Sequence, residues 1–161
     1  MTLSDFQKQA DFFFEKAFEH QKRGEFKEAV GCYKKSLELH PTARAHTFLG
    51  WAYSLTGRFE EAMEECKKAI RIDPEFGNPY NDIGAYLIEL GRLEEAVPWL
   101  ERAIRARRYA ERMFPFYNLG RIWEIKGRLP DAIRCYEEAL RQNPTYLSAK
   151  TALSRVRALF N

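Results

Sequence analysis

The chain has 161 residues, with 26 lysines and arginines against 23 aspartates and glutamates, for a formal net charge of +3. At 45% hydrophobic and 30% charged residues it holds enough apolar material for a packed core, which excludes a disordered chain. No stretch approaches the roughly 18 uninterrupted apolar residues of a membrane span, and Met1 to Lys8 lack the basic start and apolar run of a signal peptide.

Taken in chain order, the elements repeat. Four turns match, Gly24-Glu25-Phe26, Gly57-Arg58-Phe59, Gly91-Arg92-Leu93 and Gly127-Arg128-Leu129, with their glycines 33, 34 and 36 residues apart. Five residues after each glycine stands an alanine (Ala29, Ala62, Ala96, Ala132), and twelve after it a small residue (Ser36, Ala69, Ala103, Ala139). Seven before it stands Ala17, Gly50, Gly84 or Gly120, and seventeen after it Pro41, Pro74, Arg108 or Pro144. Each unit therefore reads as two helices joined by a tight turn. The glycine ends the first helix, the small residues let the two axes approach, and the proline stops the second helix. Pro79, Pro115 and Pro130 fit helix starts, and Pro98, inside a second helix, predicts a mild bend there.

This punctuation resembles the tetratricopeptide repeat. The resemblance implies an all-α, right-handed superhelical solenoid of four helix-turn-helix repeats plus a C-terminal capping helix. The whole chain forms one domain, with repeats at 10–42, 43–76, 77–112 and 113–146 and a cap at 147–161. The third repeat departs from the pattern, with Arg108 in place of proline and two extra residues. Either its second helix runs on through Arg105 to Arg108, or the linker loops out before Met113. The first repeat has Lys16 and His20 at positions where the family has core residues, as suits a unit with no predecessor. The tail, with Leu147, Leu153, Val156, Leu159 and Phe160, either covers the last repeat's open face or offers its stripe to a partner.

In this family the first helices of successive repeats line a concave groove that binds extended peptides or helices. Offsets of ten and six residues before each turn glycine place Phe14/Phe18, Thr47/Trp51, Asn81/Ala85 and Tyr117/Arg121 on that face. Arg44, Leu55, Asn78, Ile88, Phe114, Glu124 and Ile125 are further inward-facing candidates. Aromatic anchors at Phe14, Phe18, Trp51, Phe114 and Tyr117 would supply affinity, and Arg44, Asn78, Asn81, Asn118 and Arg121 orientation. Two other readings of these rings stay open: they pack between repeats, or the nine-residue lead folds Phe6 back over Phe14 and Phe18. Some family members grip acidic chaperone tails with lysine, asparagine and arginine. The matching places here hold Phe14, Phe18, Phe48, Asn78 and Asp82, or Thr47, Trp51, Asp82, Phe114 and Asn118 one repeat later. Neither set carries the cations, so an acidic-tail adaptor is disfavoured.

No phosphate loop, nucleophile elbow or metal-ligand motif is present, so no enzyme, cofactor or metal site is expected. Cys32, Cys66 and Cys135 are odd in number and far apart, which predicts buried structural thiols in a cytoplasmic protein. Glu60, Glu61, Glu64 and Glu65 read as a solvated face near a helix start. The basic run Arg102, Arg105, Arg107, Arg108 and Arg112 around Tyr109 raises nucleic acid as a rival partner, with Tyr109 available to stack on a base. The third repeat is nevertheless charge-balanced, and the net +3 equals the charge of the tail, with Lys150, Arg155 and Arg157 and no acid. The expected function is therefore a non-catalytic module binding a protein partner's peptide or helix. Self-association into an assembly scaffold is the alternative, and polyanion binding is disfavoured.

Overall fold

Gly24, Gly57, Gly91 and Gly127 are the residues with positive φ, between 72° and 77°, and each follows the end of a first helix. At each turn the next residue's N–H reaches back into the helix, as from Glu25 to the His20 carbonyl (2.9 Å) and from Arg128 to that of Trp123 (2.8 Å). The computed structural model describes residues 1–161, and these four turns, with the linkers that follow each second helix, divide them into nine helices with no strand. These are α1 (Leu3–Lys22), α2 (Phe26–Leu39), α3 (Ala43–Ser54), α4 (Phe59–Ile72), α5 (Asn78–Glu89), α6 (Leu93–Arg105), α7 (Met113–Ile125), α8 (Leu129–Gln142) and α9 (Leu147–Ala158).

The helices stack as a solenoid: α1 on α2, α3 on α4, α5 on α6 and α7 on α8, with each pair packed against the next. Small residues set how closely each pair approaches. A Cβ on Gly50 would lie 2.8 Å from the Ala62 carbonyl oxygen, and one on Gly84 2.4 Å from a methyl of Leu100. The main core runs from Phe14 to Ile122, and a smaller one joins Ala132 and Tyr136 to Ala152, Leu153 and Val156 of α9. The first helices also touch in sequence, α3 with α5, α5 with α7 and α7 with α9, so they form one continuous face.

Several details decide between readings that the sequence leaves open. The lead does not fold back. Thr2 and Asp5 form a reciprocal capping box, so α1 starts at Leu3 and carries Phe6 on the same helix as Phe14. Helix α6 continues through Pro98 and stops at Arg105 rather than running on to Arg108. The extra residues of the third repeat form a loop that pairs with the α4–α5 linker. The Arg108 N–H donates to the Glu75 carbonyl (3.0 Å), the Gly77 N–H donates to the Arg108 carbonyl (2.9 Å), and the Arg108 guanidinium pairs with Asp73. Tyr109 is buried against Gly77, so it is closed to a nucleobase. Arg112 donates to the carbonyls of Ile104 (3.0 Å), Tyr109 (2.6 Å) and Ala106, closing the C-terminal end of α6. Arg102 lies over Tyr80 and Trp99, at 4.7 and 4.8 Å. The basic run is thus largely engaged within the fold. Replacing Arg112 with alanine is expected to cost about 2 kcal/mol, since charged hydrogen bonds to buried carbonyls are lost. A urea midpoint indistinguishable from wild type would contradict this.

Three further corrections concern side chains. Cys66 is fully buried, and desolvation raises its thiol well above the ordinary range, but Cys32 and Cys135 are only half-buried. Glu65 leaves the solvated face: it is buried, and its carboxylate accepts from Lys68 (2.8 Å) and pairs with His46 Nδ1 (2.6 Å). Burial raises this carboxyl, but the hydrogen bonds from His46 and Lys68 outweigh it and hold the group below its ordinary value. In α9 only Leu153 and Val156 of the tail's stripe are covered, while Leu147, Leu159 and Phe160 are exposed. Two of the tail's three cations are paired at the surface: Arg155 is bidentate on Glu124, and Arg157 pairs with Glu137 at 2.6 Å.

Candidate functional site

The face formed by the first helices changes character along its length. At its N-terminal end five rings interlock. Phe48 meets Phe14 at 5.0 Å, Phe18 at 5.9 Å and Trp51 at 5.7 Å, and Tyr33 backs Phe14 at 5.5 Å. The Arg44 guanidinium covers Phe14 at 4.1 Å. Phe14 is therefore a packing residue between repeats, as one of the alternative readings holds, whereas Phe18 remains half-exposed and Trp51 and Leu55 are 41% and 44% exposed. Helical geometry explains the split. Phe14 and Phe18 share one face a turn apart, and only Phe14 is also closed in by Tyr33 and Arg44.

In the middle, α3 and α5 diverge around a pocket of about 540 Å³. Thr47, Phe48, Trp51 and Ser54 form the α3 wall, Asn78, Asp82, Ala85, Tyr86 and Glu89 the α5 wall, and Phe114 of α7 closes one side. Asn78 and Phe114, both expected on the groove, are half-exposed here. Asn81 and Asn118 are buried rather than presented: Asn118 Nδ2 donates to Asn81 Oδ1 at 3.0 Å, binding α5 to α7 beneath the face. Ile88 is a core residue rather than a groove residue, because it points to the packed side of α5.

Toward the C-terminus, Tyr117 stacks edgewise on Tyr146 at 5.4 Å and Phe114 does so at 5.5 Å. Arg121, half-exposed, donates to Asn118 (3.3 Å) and to Glu89 (3.1 Å). Tyr117, Arg121, Glu124, Ile125 and Arg155 surround a second depression of about 420 Å³.

Sequence reasoning passed over Phe48 and Asp82 as anchors. Both stand nine residues before a turn glycine, an offset the two-offset reading leaves out, although Asn78, Asp82, Ala85 and Glu89 follow a helical stripe. Asp82 stands out electrostatically. It is half-exposed at its surface but otherwise surrounded by protein, and desolvation pushes its carboxyl up to about 7 against a weaker opposing hydrogen bond from Asn81. No lysine or arginine lies close enough to offset the effect.

No three histidine, cysteine, aspartate or glutamate side chains converge as a metal ion would require, and no helix is long and apolar enough to cross a membrane. Three family models described as tetratricopeptide repeats match residues 14–75, 80–108 and 115–146. The type IV pilus assembly protein PilF of Pseudomonas aeruginosa is 30% identical over 134 residues, covering 83% of this chain and 53% of the relative. A solved structure of P. aeruginosa PilF superposes with a TM-score of 0.86 at 27% identity, over 94% of this chain and 69% of that one. The photosystem I assembly protein Ycf3 of Prochlorococcus marinus is 27% identical over 126 residues, covering 71% of this chain and 73% of the relative. YrrB, described as a TPR protein with an unusual peptide-binding site, shares the fold with a TM-score of 0.65 at 24% identity, over 91% of this chain and 75% of that one. The chain spans between 11% and 53% of the length of several curated relatives that it matches. The three repeat matches, the regular spacing of the left-handed glycines and the stacked helix pairs show that the chain belongs to the tetratricopeptide repeat family of protein-interaction scaffolds.

Proposed function

We propose that the protein is a non-catalytic interaction module that holds an extended peptide or a helix of a protein partner along the face of α1, α3, α5 and α7. The observation that carries this reading is the row of accessible rings, Phe18, Phe48, Trp51, Phe114 and Tyr117, of which Phe48, Trp51 and Phe114 line a pocket of about 540 Å³ with few charges in its walls. Half-exposed aromatics beside polar groups are the residue types that dominate interface energetics. Arg44, Asn78 and Arg121 supply orientation from the rim, Leu55 extends the apolar strip, and Phe14, Asn81, Ile88 and Asn118 hold the shape from beneath. The relatives matched over most of the chain, PilF and Ycf3, are both named assembly proteins, which accords with a scaffold.

Trp51 is the residue to remove, because it is exposed enough for the fold to tolerate its loss. Trp51→Ala is expected to weaken partner capture by roughly 30-fold, the effect of a central aromatic anchor. Thermal stability should stay near wild type. Affinity purification with wild-type and Trp51→Ala baits, read by quantitative mass spectrometry, tests this. Equal yields of every partner would sink the groove reading. Light scattering across a concentration range reports whether the exposed Leu159 and Phe160 bring copies together instead.

A further inference from the structure

We propose that the central pocket is a cation subsite, in which Asp82 receives the lysine or arginine side chain of a partner peptide between the rings of Trp51, Phe48 and Phe114. The inference rests on the groove reading and makes it specific, since it names the chemistry of the residue at the middle of the bound segment.

Charge complementarity carries the argument. The other acids along this face have cations of their own: Glu89 is met by Arg121 at 3.1 Å and Glu124 by Arg155 at 2.8 Å. Asp82 has none, and its hydrogen-bonding support is limited to Asn81, whose side-chain oxygen is already engaged by Asn118. A carboxylate surrounded by protein without a counter-ion is costly to keep ionised, and a cation entering the pocket removes that cost. The walls suit the same guest. Arg44 lies over Phe14 at 4.1 Å, Arg58 over Tyr53 at 4.4 Å and Arg128 over Trp123 at 4.7 Å, so guanidinium-on-ring contact recurs throughout this chain. In the pocket Arg44 reaches the edge of the cluster at Phe48, 5.6 Å away, while no guanidinium covers Trp51 or Phe114. Ala85, on the α5 wall, leaves room for a long aliphatic stem. An acidic guest meets the opposite situation, with a second negative charge beside Asp82.

The proposal also fixes a pH dependence. Asp82 must be ionised to hold the cation, and desolvation sets its carboxyl near neutrality, so affinity should rise as pH passes upward through about 7. The other titratable groups that face it do not interfere. Cys66 of α4, Tyr86 of α5 and Tyr109 of the α6–α7 loop are all shifted upward by burial and stay neutral. Glu89 is paired with Arg121, while His20 and His46 are engaged by Glu25 and Glu65 elsewhere.

The test is selection from a phage-displayed random peptide library against the wild-type chain, Asp82→Asn and Trp51→Ala. Wild type should enrich sequences with a lysine or arginine flanked by apolar residues. Asp82→Asn should still select apolar peptides but lose the basic position, and Trp51→Ala should select nothing. For an enriched peptide, fluorescence anisotropy should show roughly tenfold or greater weakening when its basic residue becomes norleucine. Binding should tighten from about pH 6 to about pH 8 in wild type, and both effects should vanish in Asp82→Asn. Asp82→Asn should melt no lower than wild type at the higher pH, since it removes an unpaired charge; a purely structural Asp82 would melt lower. Wild-type selection without a basic position, or a basic preference that survives in Asp82→Asn, overturns the cation subsite and leaves the groove standing. Failure of wild type to select any peptide overturns both.

Discussion

Replacing Tyr33 with alanine is expected to lower stability by about 3–5 kcal/mol, the range for emptying a buried aromatic site. The ring is fully buried between α1 and α2, with the small Ala17 opposite, and Phe14 packs edgewise on it at 5.5 Å. Its hydroxyl donates to Gln21 Oε1 at 2.9 Å. Gln21 is itself buried and its Nε2 already lacks a partner, so losing the tyrosine leaves the whole amide unsatisfied. The lost contacts also extend to the groove, because Phe14 supports Phe48, which supports Trp51. Tyr33→Ala should therefore weaken partner capture as well, through Phe48, whose ring lies 6.2 Å from Tyr33, and through Trp51 beyond it. Tyr33→Phe keeps the ring and should cost less, about 1–3 kcal/mol, the penalty of leaving the buried Gln21 amide unsatisfied. Urea unfolding with a common slope measures both. Equal midpoint shifts for the two variants would show that ring packing is not the source.

The second large effect is at Gly120, and it sets two opposing terms against each other. Alanine is favoured over glycine inside a helix by roughly 1 kcal/mol. Yet a Cβ at Gly120 would stand 2.4 Å from Cε1 and 2.6 Å from Cδ1 of Tyr136. That ring cannot step aside. It is fully buried, its hydroxyl donates to Glu124 at 2.6 Å, and Tyr117 lies 5.7 Å away on the groove side. Overpacking costs about 1–3 kcal/mol and occasionally more, so the clash wins. Gly120→Ala is expected to destabilise by about 2 kcal/mol, and Gly120→Val by more. Gly31 on the exposed side of α2, where a Cβ meets nothing within 4 Å, supplies the control. There the alanine substitution should stabilise by about 0.5–1 kcal/mol. If both glycines responded alike in thermal melts, close helix approach would not be the reason for Gly120.

These two sites show why the fold was legible and part of the groove was not. Turn glycines, small–small contacts and stopping prolines are local demands of backbone geometry, so spacing alone reveals them. The α6–α7 loop is different, because its path depends on Glu75 and Gly77, which lie about one repeat earlier in the chain. A run of arginines cannot announce that Asp73 and the carbonyls of Ile104 and Tyr109 are waiting for it. Glu65 was read as solvated for the same reason, since His46 sits on the preceding helix. On the groove, two offsets per helix identified a stripe but not its edges. Phe48 and Asp82, one residue beyond the chosen positions, line the pocket, while Ile88 falls on the packed side.

The hydrogen bonds between the α6–α7 loop and the α4–α5 linker bear on how the array comes apart. Stacked repeats contact only their neighbours, so such a chain unravels unit by unit from whichever end loosens first. Here the exits of the second and third repeats are fastened by backbone bonds at Glu75, Gly77 and Arg108, in addition to the helix-on-helix contact. Fraying that starts at either terminus meets a doubly joined segment before it reaches the middle. The pocket between α3 and α5 adjoins that segment, so hydrogen exchange of its walls is expected to be slower than that of α1 and α9.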